Sequence, residues 1–232
     1  MQENITHRII MKLQSTDESH EMSHDEAMSI VWKFVNPNKY YHKEERKPFV
    51  WSVSSIGYGE FELVFSSIHK KDVEHFATEI DGVKEFSTKY GGDYRVTGIE
   101  FLPDIDFKNS FIRLYSKSGC QCLCKKTDYA NNRRRYWKMV DAEEDKPAFS
   151  KSIENALYGR AESFGIPCNR DDIKVCYVSR PDPVEYVDYK GGMIPTQFVA
   201  FRLDAPPEIQ ALAVYGGIGK EPSSGFGLVI PD

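Results

Sequence analysis

The chain is short of several things that would place it at once. No apolar run among its 232 residues approaches the roughly 18 needed to span a bilayer, and the first residues carry His7 and Arg8 without the apolar core of a secretory leader. The expectation is a cytoplasmic protein with no membrane partner. Cysteine is scarce and odd in number, five in all, which fits a reducing compartment better than a disulfide framework. Three of the five form Cys120-x-Cys122-x-Cys124, without the C-x-x-C spacing, second pair or nearby histidine of a zinc site. That spacing predicts a half-buried strand, so neither a metal nor a cofactor is expected. Low-complexity tracts are missing too, and 41% hydrophobic residues suffice for a packed core.

Acidic residues are almost missing from one stretch. The chain as a whole is acidic, at −5, yet residues 108–138 hold nine Lys/Arg against Asp128 alone. An acidic protein with one concentrated basic island can hold a polyanion locally without indiscriminate association. Five glycines fall between Gly216 and Gly227, after an apolar helix-like segment and before a short apolar strand. Glycine clusters allow positive φ and close backbone approach to a ligand, and their N–H groups often cradle phosphate. The nucleotide-loop patterns fail here: Lys220 is followed by Glu221 rather than Ser or Thr, and a G-x-G-x-x-G reading puts Pro222 in its last position.

Periodicity predicts strand 5–14, a helix from Ser23 to Val35 opened by a Ser23/Glu26 capping box, strands 49–55 and 61–68, helix 71–80 and strand 94–102. That order is β-α-β-β-α-β, the ferredoxin-like arrangement. The second half repeats it with strands 111–117 and 120–126, a basic then acidic insertion, helix 147–164, strands 173–179, 184–189 and 197–203, helix 207–214 and a last strand. The expected fold class is therefore α+β, two tandem ferredoxin-like domains, residues 1–104 and 108–232.

The segment Gly217-Ile218-Gly219-Lys220-Glu221-Pro222-Ser223-Ser224-Gly225-Phe226-Gly227-Leu228-Val229 resembles the glycine-rich loop of the RAMP superfamily of CRISPR-associated RNA-binding proteins. Its version in the endoribonucleases that process precursor CRISPR RNA is the most similar. Asn155-Ala156-Leu157 within the long helix, and the approach from Lys190-Gly191-Gly192-Met193 to Pro207–Leu212, are similar to that family's second domain. His42 followed by Lys47-Pro48-Phe49-Val50-Trp51-Ser52 looks like its histidine loop and [KR]-P-F-x-x-S strand. The resemblance covers most of the chain. It implies two ferredoxin-like domains and metal-independent cleavage of repeat RNA by the ribose 2′-OH, leaving a 2′,3′-cyclic phosphate and a 5′-OH.

Such a reaction needs a base, an acid and positive charge near the phosphorane. His42 is the expected acid or base, because an imidazole titrates near neutrality. Lys47 is placed to stabilise phosphate charge, with Lys43 and Arg46 as substitutes. Tyr40 and Tyr41 could orient the ribose or donate a hydrogen bond, and the sequence does not choose between them. For RNA binding the expected residues are Lys125, Lys126, Arg133, Arg134, Arg135 and Lys138, interleaved with the stacking rings Tyr136 and Trp137. Gly217, Gly219, Lys220, Gly225 and Gly227 join them, in a loop expected to hold fold and RNA backbone together. The other histidines, His7, His20, His24, His69 and His75, are read as structural.

The leading expectation is an endoribonuclease that cuts CRISPR repeat RNA, retains the product and passes the guide to an effector complex. A RAMP-fold subunit that binds the guide handle without cutting is the main alternative. A ferredoxin-like interaction module is a third.

Overall fold

The computed structural model describes residues 6–35, 46–126 and 136–232. In the first half, β1 (Arg8–Ser15) leads to α1 (His24–Phe34), β2 (Phe49–Gly57), β3 (Glu60–Ser67), α2 (Lys70–Asp81), β4 (Glu85–Ser87) and β5 (Asp93–Leu102). Strict alternation builds the sheet. Ile9, Met11 and Leu13 of β1 stand opposite Phe65, Leu63 and Phe61 of β3, and all six are buried. The order is β2-β3-β1-β5-β4, every pair antiparallel. One face is covered by the apolar stripes of α1 (Ala27, Ile30, Val31, Phe34) and α2 (Val73, Phe76, Ile80), with Phe76 stacked on Phe65 at 4.3 Å. Ser23 caps α1 by accepting a hydrogen bond from the Glu26 amide at 3.1 Å. The expected reciprocal half of that box does not form. Glu26 turns inward, where His20 Nε2 approaches it at 2.9 Å and the Thr88 hydroxyl donates to it at 2.5 Å.

The second half runs β6 (Phe111–Ser116), β7 (Leu123–Lys126), β8 (Tyr136–Met139), α3 (Lys146–Ser163), β9 (Lys174–Ser179), β10 (Glu185–Tyr189), β11 (Gly192–Thr196), β12 (Ala200–Asp204), α4 (Pro207–Gly216) and β13 (Val229–Pro231). Its main sheet has the order β13-β6-β12-β9. With the short edge strand β4 and the hairpins β7–β8 and β10–β11 set aside, both halves are β-α-β-β-α-β units with the first strand central, so the chain carries two ferredoxin-like folds of α+β class. Asp145 caps α3 through the Ala148 amide at 3.1 Å, and Pro147 occupies the first turn, where no amide is needed.

The Cys120–Cys122 stretch departs from its expected form. The regular strand begins only at Leu123, and Cys120 makes a single bridge to Gln197. Gln121 is buried along with Cys120 and Cys122, because the glycine-rich segment packs on the side that a half-buried strand would leave open.

Candidate functional site

The glycine-rich segment is a joint between the two halves. After α4 the chain loops back through a short 3-10 turn at Pro222–Ser224 and enters β13. Most of its donors are already used. The Ile218 amide donates to Gly227 O at 2.9 Å, Lys220 to Gln121 O at 2.9 Å, Gly227 to Gly119 O at 3.1 Å and Leu228 to Ser118 Oγ at 3.0 Å. Gly219 has φ +71°, and a Cβ there would lie 2.5 Å from Gln121 O. At Gly225, φ is +91° and a Cβ would lie 2.6 Å from the Trp51 ring. Both positions combine left-handed backbone with no room for a side chain. Of the segment's expected RNA-binding members, Gly217, Gly219, Gly225 and Gly227 are buried in this joint, while Lys220 is exposed.

Trp51, on edge strand β2, donates from Nε1 to Ser223 O at 2.9 Å. His24, first residue of α1, stacks between Trp51 (5.2 Å) and Phe226 (4.7 Å) and donates from Nε2 to Ser224 O at 2.7 Å. Tyr189 of β10 closes the cluster edge-on to His24 and Phe226, its hydroxyl bonded to Ser224 Oγ at 2.9 Å. His7 likewise stacks on Tyr215 of α4 at 4.4 Å and donates from Nδ1 to Ser67 O. Two histidines read as structural are thus inter-half contacts.

Arg160 ties the joint to the segment entering β2. It lies on the α3 stripe beside Ile153, Leu157 and Ala161 and is only 4% exposed. Its guanidinium donates to Gly217 O at 2.5 Å and, more weakly, to Lys47 O at 3.4 Å. Burial, and then the neighbouring Arg46 cation, push its pKa down to about 9, which leaves it charged at neutrality. Arg46 is exposed and donates to Ala156 O at 3.3 Å, so α3 holds the residue before Lys47 as well. A Cβ at Gly159 would lie 3.0 Å from that guanidinium. Neither arginine's part was legible as such. A charge inside the apolar stripe of a helix was the only signal for Arg160.

The structure therefore places Lys47 at the meeting of β2, α3 and the glycine-rich segment. Tyr40, Tyr41 and His42, with Lys43, lie outside the described residues, as do Arg133, Arg134 and Arg135. The other expected RNA-binding residues of the island sit on the β7–β8 ribbon, where Lys125 pairs with Trp137, Lys126 with Tyr136 and Cys124 with Lys138. The insertion between β6 and α3 is thus an antiparallel hairpin whose connection holds the three arginines.

A family model described as CRISPR associated protein Cas6, C-terminal, matches residues 102–230, more than half of the chain. The chain belongs to this CRISPR-associated Cas6 family. Solved structures share its fold almost end to end. The product of a Cas6-related gene from Pyrococcus furiosus is 16% identical with a TM-score of 0.76, covering 97% of this chain and 98% of that one. A protein described as a RAMP protein binding different RNA substrates is 15% identical with a TM-score of 0.76, over 97% and 99%. A Cas6 product complex is 15% identical with a TM-score of 0.67, over 97% and 98%. At these identities the likeness is one of fold. No curated protein sequence matches the chain. Among the described residues, no helix is long and apolar enough to cross a membrane.

Proposed function

We propose that this chain is a metal-independent endoribonuclease that cuts CRISPR repeat RNA and retains the product. Residues 1–104 carry the cutting loop; residues 108–232 carry the basic ribbon and the glycine-rich segment. Family membership supports a role in CRISPR RNA processing, and the observation that carries the catalytic reading is the convergence on Arg160 of Gly217 and Lys47. That convergence ties the Lys47 backbone, five positions after His42 in sequence, to the second half of the chain.

His42 takes the proton of the ribose 2′-OH or supplies one to the leaving 5′-oxygen. The 2′-oxygen forms a bond to phosphorus as the bond to the 5′-oxygen breaks, giving a 2′,3′-cyclic phosphate and a 5′-OH. Lys47 offsets the negative charge that builds on the phosphorane, and Tyr40 or Tyr41 orients the ribose. The basic ribbon, with Arg133, Arg134 and Arg135 in its connection, holds the phosphate backbone, and Lys220 extends that contact from the glycine-rich segment.

The test incubates the purified chain in EDTA with a repeat RNA and with a copy bearing a 2′-deoxy residue at the cut. Cleavage of the first alone, lost in His42→Ala, is expected. Tight binding without cleavage by the wild type would replace the enzyme with a non-catalytic RAMP-fold subunit that binds the guide handle. Cleavage surviving in His42→Ala would keep the enzyme and reject His42.

A further inference from the structure

The open face of the second sheet takes no part in that reaction. The other face is covered by α3 and α4, whose Phe149, Ile153, Leu157, Ile209 and Leu212 pack into the core. The open face carries Phe111, Arg113 and Tyr115 on β6 and Arg202 on β12, with Arg113 and Arg202 directly paired across the strands. Tyr177 of β9 joins them and is 78% exposed. The β9–β12 register slips between Ala200 and Arg202, and beside this bulge Tyr177 holds a φ of +54°. A left-handed tyrosine is strained, and bulges re-aim side chains; here the ring is aimed at solvent.

The arrangement around it suits a planar, anionic ligand. The Arg202 guanidinium lies 4.9 Å from the Tyr177 ring centre and 5.2 Å from that of Phe111. Beside it is a hollow of about 690 Å³ lined by Tyr115 and Tyr177, by Ala200 and by Arg113 and Arg202. Asp204 engages Arg202 at 2.6 Å, yet Arg202 Nε and Asp204 Oδ1 are buried with no hydrogen-bond partner among the described residues. Arg113 has no carboxylate within ion-pair distance among the described residues. Asp232 also lines the hollow, so the anion-accepting part of the face is the Arg113–Arg202 row.

We propose that this face is a second RNA subsite, on which bases of an unpaired segment stack on Tyr115 and Tyr177 while Arg113 and Arg202 take the adjoining phosphates. Rings alternating with arginines are the chemistry of single-strand binding, since every base offers a π-face and every linkage a charge. Tyrosine and arginine are also enriched in protein interfaces, so what favours RNA as the occupant is the processing reading above together with Arg113, which has no carboxylate within ion-pair distance among the described residues. The proposal rests on the RNA-processing reading above and adds a site on the sheet face turned away from α3 and α4.

The test measures fluorescence anisotropy of a labelled oligouridylate of about eight nucleotides, within the usual single-strand site size, on the full chain and on Tyr115→Ala and Tyr177→Gly. Glycine at 177 suits the left-handed backbone, so this variant should keep or raise its melting temperature while losing the ring. Each variant is expected to weaken binding about tenfold, the effect of losing one base stack. Replacing one uridine by 2-aminopurine adds a stacking readout, quenched on the wild type and unquenched on the variants. Equal oligouridylate affinity in wild type and variants overturns the platform, as does a wild type that binds repeat RNA but not oligouridylate. A wild type that binds neither RNA overturns the RNA-processing reading itself, and the face then becomes a protein-docking surface.

Discussion

Gly225 is a position where one methyl group would be felt across the molecule. Its φ of +91° disfavours any L side chain, and an added Cβ would meet Trp51 at 2.6 Å and the His24 ring at 2.9 Å. Left-handed strain costs about 1–2 kcal/mol and overpacking about 1–3 kcal/mol. Gly225→Ala is therefore expected to destabilise the chain by about 2–5 kcal/mol. A lower urea midpoint at unchanged slope would show this, and an unchanged midpoint would mean that the Trp51–Gly225 contact is not tight. The glycines themselves were plain in the sequence, because glycine clustering is local. Their partners were not. Arg160, Gln121 and Trp51 reach the segment from separations of 57, 99 and 172 residues in hydrogen bonds, and no spacing rule reports such an encounter.

At the scale of elements, legibility followed alternation. The strands of both central ladders and all four described helices stood out because apolar residues recur at period 2 or 3.6. β4 was missed: only Phe86 of its three residues is buried, too little for a pattern. β11 was missed as well, since Gly192 and Pro195 look like turn residues and its pairing is confined to a two-stranded hairpin. β7 falls inside the expected strand 120–126, whereas β8, four residues long within the basic insertion, was visible only as charge. The placement of the ribbon makes an element-scale test possible. Reversing Arg133, Arg134 and Arg135 to Glu should weaken repeat-RNA binding and reduce the salt slope by roughly 2–3 charges' worth. Affinity measured across a salt series decides it, and a slope equal to that of the wild type would remove the ribbon from the interface.

For the whole molecule, what matters is that the halves meet through a ring stack with a titratable member. Burial pushes the His24 pKa below its ordinary value, against the weaker opposing effects of the Ser224 carbonyl and Asp25. The unfolded chain then takes up this proton first as pH falls. Stabilisation from the stack is complete above the unfolded-state value of about 6.5 and is lost progressively as pH drops toward the folded value. The gap in melting temperature between wild type and His24→Gln is expected to narrow from about pH 7.5 to about pH 5. A gap that stays constant or widens on acidification would show that the neutral ring is not what the joint requires.

The position of the joint along the chain also orders its assembly during synthesis. Residues 6–102 can form their own sheet and helices as they emerge, but the edge of β2, with Val50 and Trp51, is covered only once residues 216–227 have followed. β6, although made near the middle of the chain, waits for both of its neighbours, β12 and β13. A nascent chain of this protein thus carries an uncovered strand edge and an unpaired central strand until residues 200–231 have been made. The stack of Trp51, His24 and Phe226 between the halves cannot form before the glycine-rich segment leaves the exit tunnel.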